Sequence, residues 1–218
     1  SMIGRELKRI LQKPTAFVCI VVYMGIMILG VESDLRARYE IGVLNLFWVT
    51  ENFGVTIFIQ TLIFPVAAAG NYFDERKGHY DWLIQMRSGQ LRYCIAKIVS
   101  AVLGGIILYM ISVILFFAVC VIFIPEVRHG STVESITNLF QSKECFWYRM
   151  ALSIGYYPTV IVLAFQYSLH IGIYVLIGLC VSVFCTNRYV FYAMPFLLTR
   201  IGMYIGGFVG LYAYIPYG

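Results

Sequence analysis

Apolar runs long enough to cross a bilayer alternate with short polar stretches along the whole chain. A spanning helix needs about 20 mostly apolar residues, each rising about 1.5 Å. Five segments fit that pattern: 15–31, 52–72, 95–125, 158–185 and 189–212. The third is long enough to tilt or to extend beyond the membrane. Ahead of the first, GRELKRILQKP places Leu7, Ile10 and Leu11 at helical i, i+3, i+4 spacing, with Arg5, Lys8, Arg9 and Lys13 on the other faces. This predicts an amphipathic helix over 4–14 lying on the membrane surface, with Pro14 permitting a sharp turn into the first span. The expected fold class is an all-α polytopic membrane protein, with residues 1–218 forming a single transmembrane domain.

Composition supports a bilayer as the solvent. The chain is 61% hydrophobic and 12% charged, with a mean hydropathy of +0.81, against about 45–50% apolar and about 25% charged for a soluble domain. The net charge of +5 says less than its distribution. Ten Lys and Arg fall on one side of the expected spans: Arg5, Lys8, Arg9, Lys13, Arg76, Lys77, Arg87, Arg92, Lys97 and Arg188. Five fall on the other: Arg36, Arg38, Arg128, Lys143 and Arg149. The positive-inside rule then places the N-terminus in the cytoplasm of a bacterial-type plasma membrane, with the loops at 32–51 and 126–157 facing outward. Trp48, Trp147, Tyr156 and Tyr157 suit an interfacial belt on that outer side. The six cysteines show neither metal-ligand spacing nor a disulfide framework and read as small apolar fillers.

One polar stretch is denser than topology requires. Residues 71–97, NYFDERKGHYDWLIQMRSGQLRYCIAK, hold eight charges of both signs. Within it Leu83 and Met86 are i, i+3 neighbours, and His79 precedes Leu83 by four, so a short helix with one apolar and one charged face is expected. Mixed charge beside Trp82 suits a groove on another protein, whereas a surface for anionic lipid alone would be more purely basic.

FDERKGHYDWL followed by RSGQLRYCIAK resembles the intracellular motif of ABC-2 type permeases, the membrane subunits of ATP-binding-cassette exporters. The matching positions are Phe73, Glu75, Gly78, Leu83, Arg87/Ser88 and Lys97. GRELKRILQKP is similar to the N-terminal surface helix of that family. The resemblance implies six spans, and with five visible a further one is expected past Gly218. It implies that 73–92 forms a coupling helix seated in a separate nucleotide-binding ATPase subunit, which would hold the ATP and Mg. Phe73, Glu75, Arg76, Lys77, Gly78, Trp82 and Leu83 would couple to that subunit: the charges by complementarity, Trp82 and Leu83 as buried anchors. It also implies a dimer of permeases with the first and fifth spans at the interface. This chain itself carries no GxxxxGK[ST] loop, no HExxH and no nucleophile elbow, so it is expected to be a transport subunit rather than an enzyme, with membrane lipid but no nucleic acid as a further partner.

Candidate pathway residues follow from polar positions inside spans. Arg200 lies 12 residues after Arg188, about 18 Å along the fifth span, where a charge faces protein interior, water or a snorkelling route outward. Gln166, His170 and Tyr174 recur every four residues on one face of the fourth span, either lining a cavity or making interhelical hydrogen bonds. Gly202, Gly206 and Gly210 give a small-residue face in the fifth, for packing within one subunit or for the dimer. The leading expectation is an exporter of an amphipathic substrate such as a peptide, lipid or hydrophobic drug. The alternative is an ATP-independent channel or secondary carrier, which calls for an intramembrane acid. The spans contain none, and Glu51 stands at an edge. A structural or sensory subunit is a third class.

Overall fold

The computed structural model describes residues 2–36, 42–52, 54–77, 89–123, 146–185 and 187–208. Among these the chain is helical throughout, in eight helices: α1 (Met2–Leu11), α2 (Pro14–Arg36), α3 (Val43–Asn52), α4 (Gly54–Lys77), α5 (Gln90–Phe123), α6 (Phe146–Ile154), α7 (Tyr156–Phe184) and α8 (Arg188–Phe208). Parts of α2, α4, α5 and α7 are long and apolar enough to cross a membrane: Pro14–Glu32, Val55–Arg76, Gln90–Phe123 and Tyr156–Phe184. α8 is helical over 21 residues but is not in that set, so four candidate spans stand where the sequence suggests five. The rest of the fifth segment, including Gly210, lies outside the described residues, as do 78–88 and the polar stretch 124–145.

Apolar residues cover both faces of the long helices. On α2, Ala16, Cys19, Tyr23, Met27 and Val31 turn inward at helical spacing, while Phe17, Val21 and Leu29 stay exposed on the opposite side. In water that outer face would be a large unpaid exposure; against lipid it needs no cover. This marks a membrane protein.

Glycines set the closest helix contacts. A Cβ on Gly105 of α5 would lie 2.7 Å from Val175 of α7, and one on Gly172 of α7 would lie 3.3 Å from Val102 of α5. Each helix therefore lends a notch to the other's valine, which is how small residues draw membrane helices together. Gly178 does the same for Pro65, the proline inside α4, with a Cβ expected 2.8 Å from the ring. Gly104 accepts Ile10, the most buried residue of α1. That contact ties the amphipathic helix to the side of α5. The amphipathic helix forms over 2–11 where 4–14 is expected, and Ile10 of its apolar stripe packs on α5, while Arg5, Lys8 and Arg9 remain exposed.

The region between the first two long helices departs from the sequence reading. Residues 32–51 are expected there as an outward loop, yet 43–52 form α3, which packs against α2, α4 and α7. Val43, Leu44, Leu46, Phe47, Thr50 and Glu51 are all buried. Phe47 stacks on Phe117 at 6.1 Å and meets Tyr167 edge-on at 5.6 Å. A ten-residue helix extends only about 15 Å, half the hydrocarbon thickness, so it enters the bundle without crossing it.

Candidate functional site

Four consecutive residues at the end of α4 each bind a different neighbour. Phe73 is buried and stacks on Phe191 of α8, with centroids 4.9 Å apart and rings 18° from parallel. Asp74 accepts from Arg188, the first residue of α8, at 2.7 Å, and faces Lys13 of the α1–α2 linker at 3.8 Å. Glu75 joins α1 to α5: its carboxylate accepts from Lys97 at 2.8 Å, from Arg9, and from the Tyr93 hydroxyl at 3.1 Å. Arg76 donates to the carbonyl of Ser182 at 3.0 Å, in the last turn of α7, where a helix leaves acceptors open. The tetrapeptide FDER thus clamps one end of the bundle, the end that carries α1.

Glu75 and Lys97 are the core of this clamp. Their side chains are 5% and 6% exposed. Lys97 also binds Glu6 of α1 at 2.6 Å, and Glu6 lies 4.0 Å from Arg9. Two carboxylates and two cations alternate, so each buried charge faces its opposite. That arrangement makes the burial tolerable; removing one member leaves the others uncompensated. The Lys97 ammonium also lies 5.6 Å from the Tyr93 ring centroid, a cation–π contact.

A second polar cluster lies farther along the same helices. Glu51 of α3 accepts from Tyr23 and Tyr109, both at 2.9 Å, and from Gln60 at 2.6 Å. Gln60 Nε2 also lies 2.6 Å from the Tyr23 hydroxyl. All four side chains are buried. Tyr109 follows Lys97 by 12 residues on α5, about 18 Å, and Tyr23 is midway along the apolar window Pro14–Glu32. Glu51 is therefore an acid at mid-bundle depth, not at the edge of a span. It belongs to α3, which is not one of the spanning helices, and burial pushes its carboxyl up to about 7 against the three donated hydrogen bonds that lower it.

The sequence-predicted site residues divide accordingly. Phe73 and Glu75 are buried in the bundle and Arg76 is half-buried, each with the partners given above. Lys77 ends α4, and Gly78, Trp82 and Leu83 lie outside the described residues. Gln166 and Tyr174 are half-buried, and His170 is exposed, with its Nδ1 3.1 Å from the Gln166 carbonyl. Arg200 lies over the Phe196 ring, 5.5 Å from its centroid. Gly202 is exposed, and a Cβ there would meet nothing within 4 Å; Gly206 follows one turn later in the same helix.

Glu6, Arg9, Tyr93, Tyr23, Tyr109 and Glu51 were not singled out by sequence as site residues. The signal available was polarity inside apolar runs: tyrosines at 23 and 109, and an acid at 51. No family model, curated protein or solved structure matches this chain.

Proposed function

We propose that this protein is the membrane subunit of an ATP-driven exporter of the ABC-2 type, moving an amphipathic substrate (a peptide, lipid or hydrophobic drug) outward. One observation carries the reading: the clamp made by Phe73, Asp74, Glu75 and Arg76 ties α1, α5, α7 and α8 to the end of α4. Residues 78–88 connect that end to the start of α5. A force applied to this segment therefore reaches five helices as one body, which is what a coupling helix requires.

In this reading the clamped end faces the cytoplasm, α8 completes a fifth span, and 78–88 supply the docking surface. ATP and Mg reside on the separate nucleotide-binding subunit. The internal engagement of Glu75 and Arg76 moves the docking role to Trp82 and Leu83. Replacing both by alanine is expected to reduce copurification of the ATPase at least tenfold while leaving the membrane subunit folded. Undiminished copurification would refute docking at this segment. Gly202 of α8 is exposed and fits contact with a second copy, with Gly206 one turn later in the sequence: Gly206→Leu is expected to convert the dimer to monomer in detergent, read by light scattering, and a persisting dimer would place the interface elsewhere.

Glu51 favours a second reading, an ATP-independent carrier coupled to protons. A buried acid at mid-bundle depth, held by Tyr23, Tyr109 and Gln60, is the feature such a carrier needs. The two readings separate on the energy source, because only the second transports with a pH gradient and no nucleotide.

A further inference from the structure

Beside the clamp, a cavity of about 60 Å³ opens among the ends of α2, α4 and α8. Its size is several times what one water needs. Asn71 lines it, is 3% exposed, and has no hydrogen-bond partner for Oδ1 or Nδ2 among the described residues. A buried amide with neither end satisfied is costly, and here it borders open space that a ligand can fill. Lys13 and Arg188 line the same cavity, with Asp74 between them. Thr15 and Arg188 belong to the first turns of α2 and α8, so the helix dipoles add positive potential there, although the Tyr189 N–H of α8 already donates to Asn187 Oδ1 at 3.0 Å.

We propose that this cavity is a binding site for a phosphate group, supplied by the headgroup of a phospholipid. Two cations and the helix dipoles outweigh the single carboxylate, and Asn71 Nδ2 offers a buried donor. Asn71 Oδ1 and Asp74 remain as acceptors, which suits a headgroup carrying its own donor, the hydroxyls of phosphatidylglycerol or the ammonium of phosphatidylethanolamine. Depth assigns the source. Pro14 and Arg76 bound the apolar windows of α2 and α4 at this end, so the side of the cavity lined by Lys13, Asp74 and Arg188 stands at the ends of those windows, where lipid headgroups are expected. The inference is independent of the transport reading and holds for a carrier as well.

The test uses the full chain in detergent, with native mass spectrometry to count bound phosphatidylglycerol. Asn71→Leu removes the amide while keeping the number and branching of side-chain heavy atoms. Gly70→Leu fills the cavity instead; Gly70 lines it, and a Cβ there meets nothing within 4 Å, so the helix tolerates the change. Each variant is expected to lower retained lipid at least fivefold, with thermal unfolding showing that Gly70→Leu remains folded. A dioleoylglycerol control, lacking phosphate, is expected not to compete. In a second arm, inorganic phosphate is titrated into delipidated protein. A thermal shift that both variants abolish, without lipid retention, supports the phosphate chemistry but assigns a free anion as its source. Lipid retention and phosphate response both unchanged in Gly70→Leu, or equal competition by dioleoylglycerol, would overturn the site.

Discussion

Replacing Lys97 by methionine is expected to destabilise the protein by about 3–5 kcal/mol, the typical loss when one member of a buried ion pair is removed. Methionine keeps the length and apolar stem of lysine, so the effect isolates the charge. Without the ammonium, Glu6 and Glu75 face each other across a buried site with Arg9 as their remaining cation. Arg9 is 46% exposed on its side chain and is partly screened by solvent. The double variant Glu75→Gln with Lys97→Met is expected to be more stable than the sum of the single losses, because it removes a charge of each sign. Thermal unfolding in a single detergent measures all three. Additive losses would mean that the two residues stabilise the fold independently, and that α1, α4 and α5 are not held as one body.

Glu51→Leu is expected to cost about 3 kcal/mol or more, since it leaves three buried donors, Tyr23, Tyr109 and Gln60, without their common acceptor. The acid also makes stability depend on pH. Its folded carboxyl is raised to about 7 from an ordinary 4.5. The folded state therefore holds the proton more tightly than the unfolded state. The stabilisation from this group is complete below about pH 4.5 and is lost as pH rises through about 7. Melting temperature is expected to fall between pH 5 and pH 8 in the parent protein, and to be nearly flat over that window in Glu51→Gln. Gln60 can reverse its amide to face either form. An equal slope in both proteins would show that Glu51 does not titrate there.

The sequence made the long helices legible for a simple reason. Segments such as 95–125 and 158–185 are apolar beyond the length a bilayer needs, and no soluble alternative accommodates them. The N-terminal amphipathic helix was legible because Leu7, Ile10 and Leu11 fall on one stripe. α3 was not, because ten residues containing Asn45, Thr50 and Glu51 fall below any spanning criterion, and its burial depends on a pocket that α2, α4 and α7 create together. The clamp shows the same limit. Four residues including three charges suggest a solvated surface, and nothing local reveals that each has a partner 18 to 118 positions away. Lys97 was read as the residue opening a span; its pairing with Glu6, 91 positions earlier, exists only once α1 folds back along α5 through Ile10 and Gly104. Gly105, Gly172 and Gly178 are similar: a glycine in an apolar run is visible, but the side chain that fills its notch is not.

The energy source is the most direct measurement. Inverted membrane vesicles containing the protein and its ATPase partner are loaded with a fluorescent amphipathic peptide from outside, with ATP or with an imposed pH gradient. Uptake that requires ATP hydrolysis, survives collapse of the pH gradient and is lost in the Trp82→Ala, Leu83→Ala variant is the predicted result. Uptake driven by the pH gradient alone, with no nucleotide present and abolished in Glu51→Gln, would contradict the proposed ATP-driven lever and establish the proton-coupled carrier in its place.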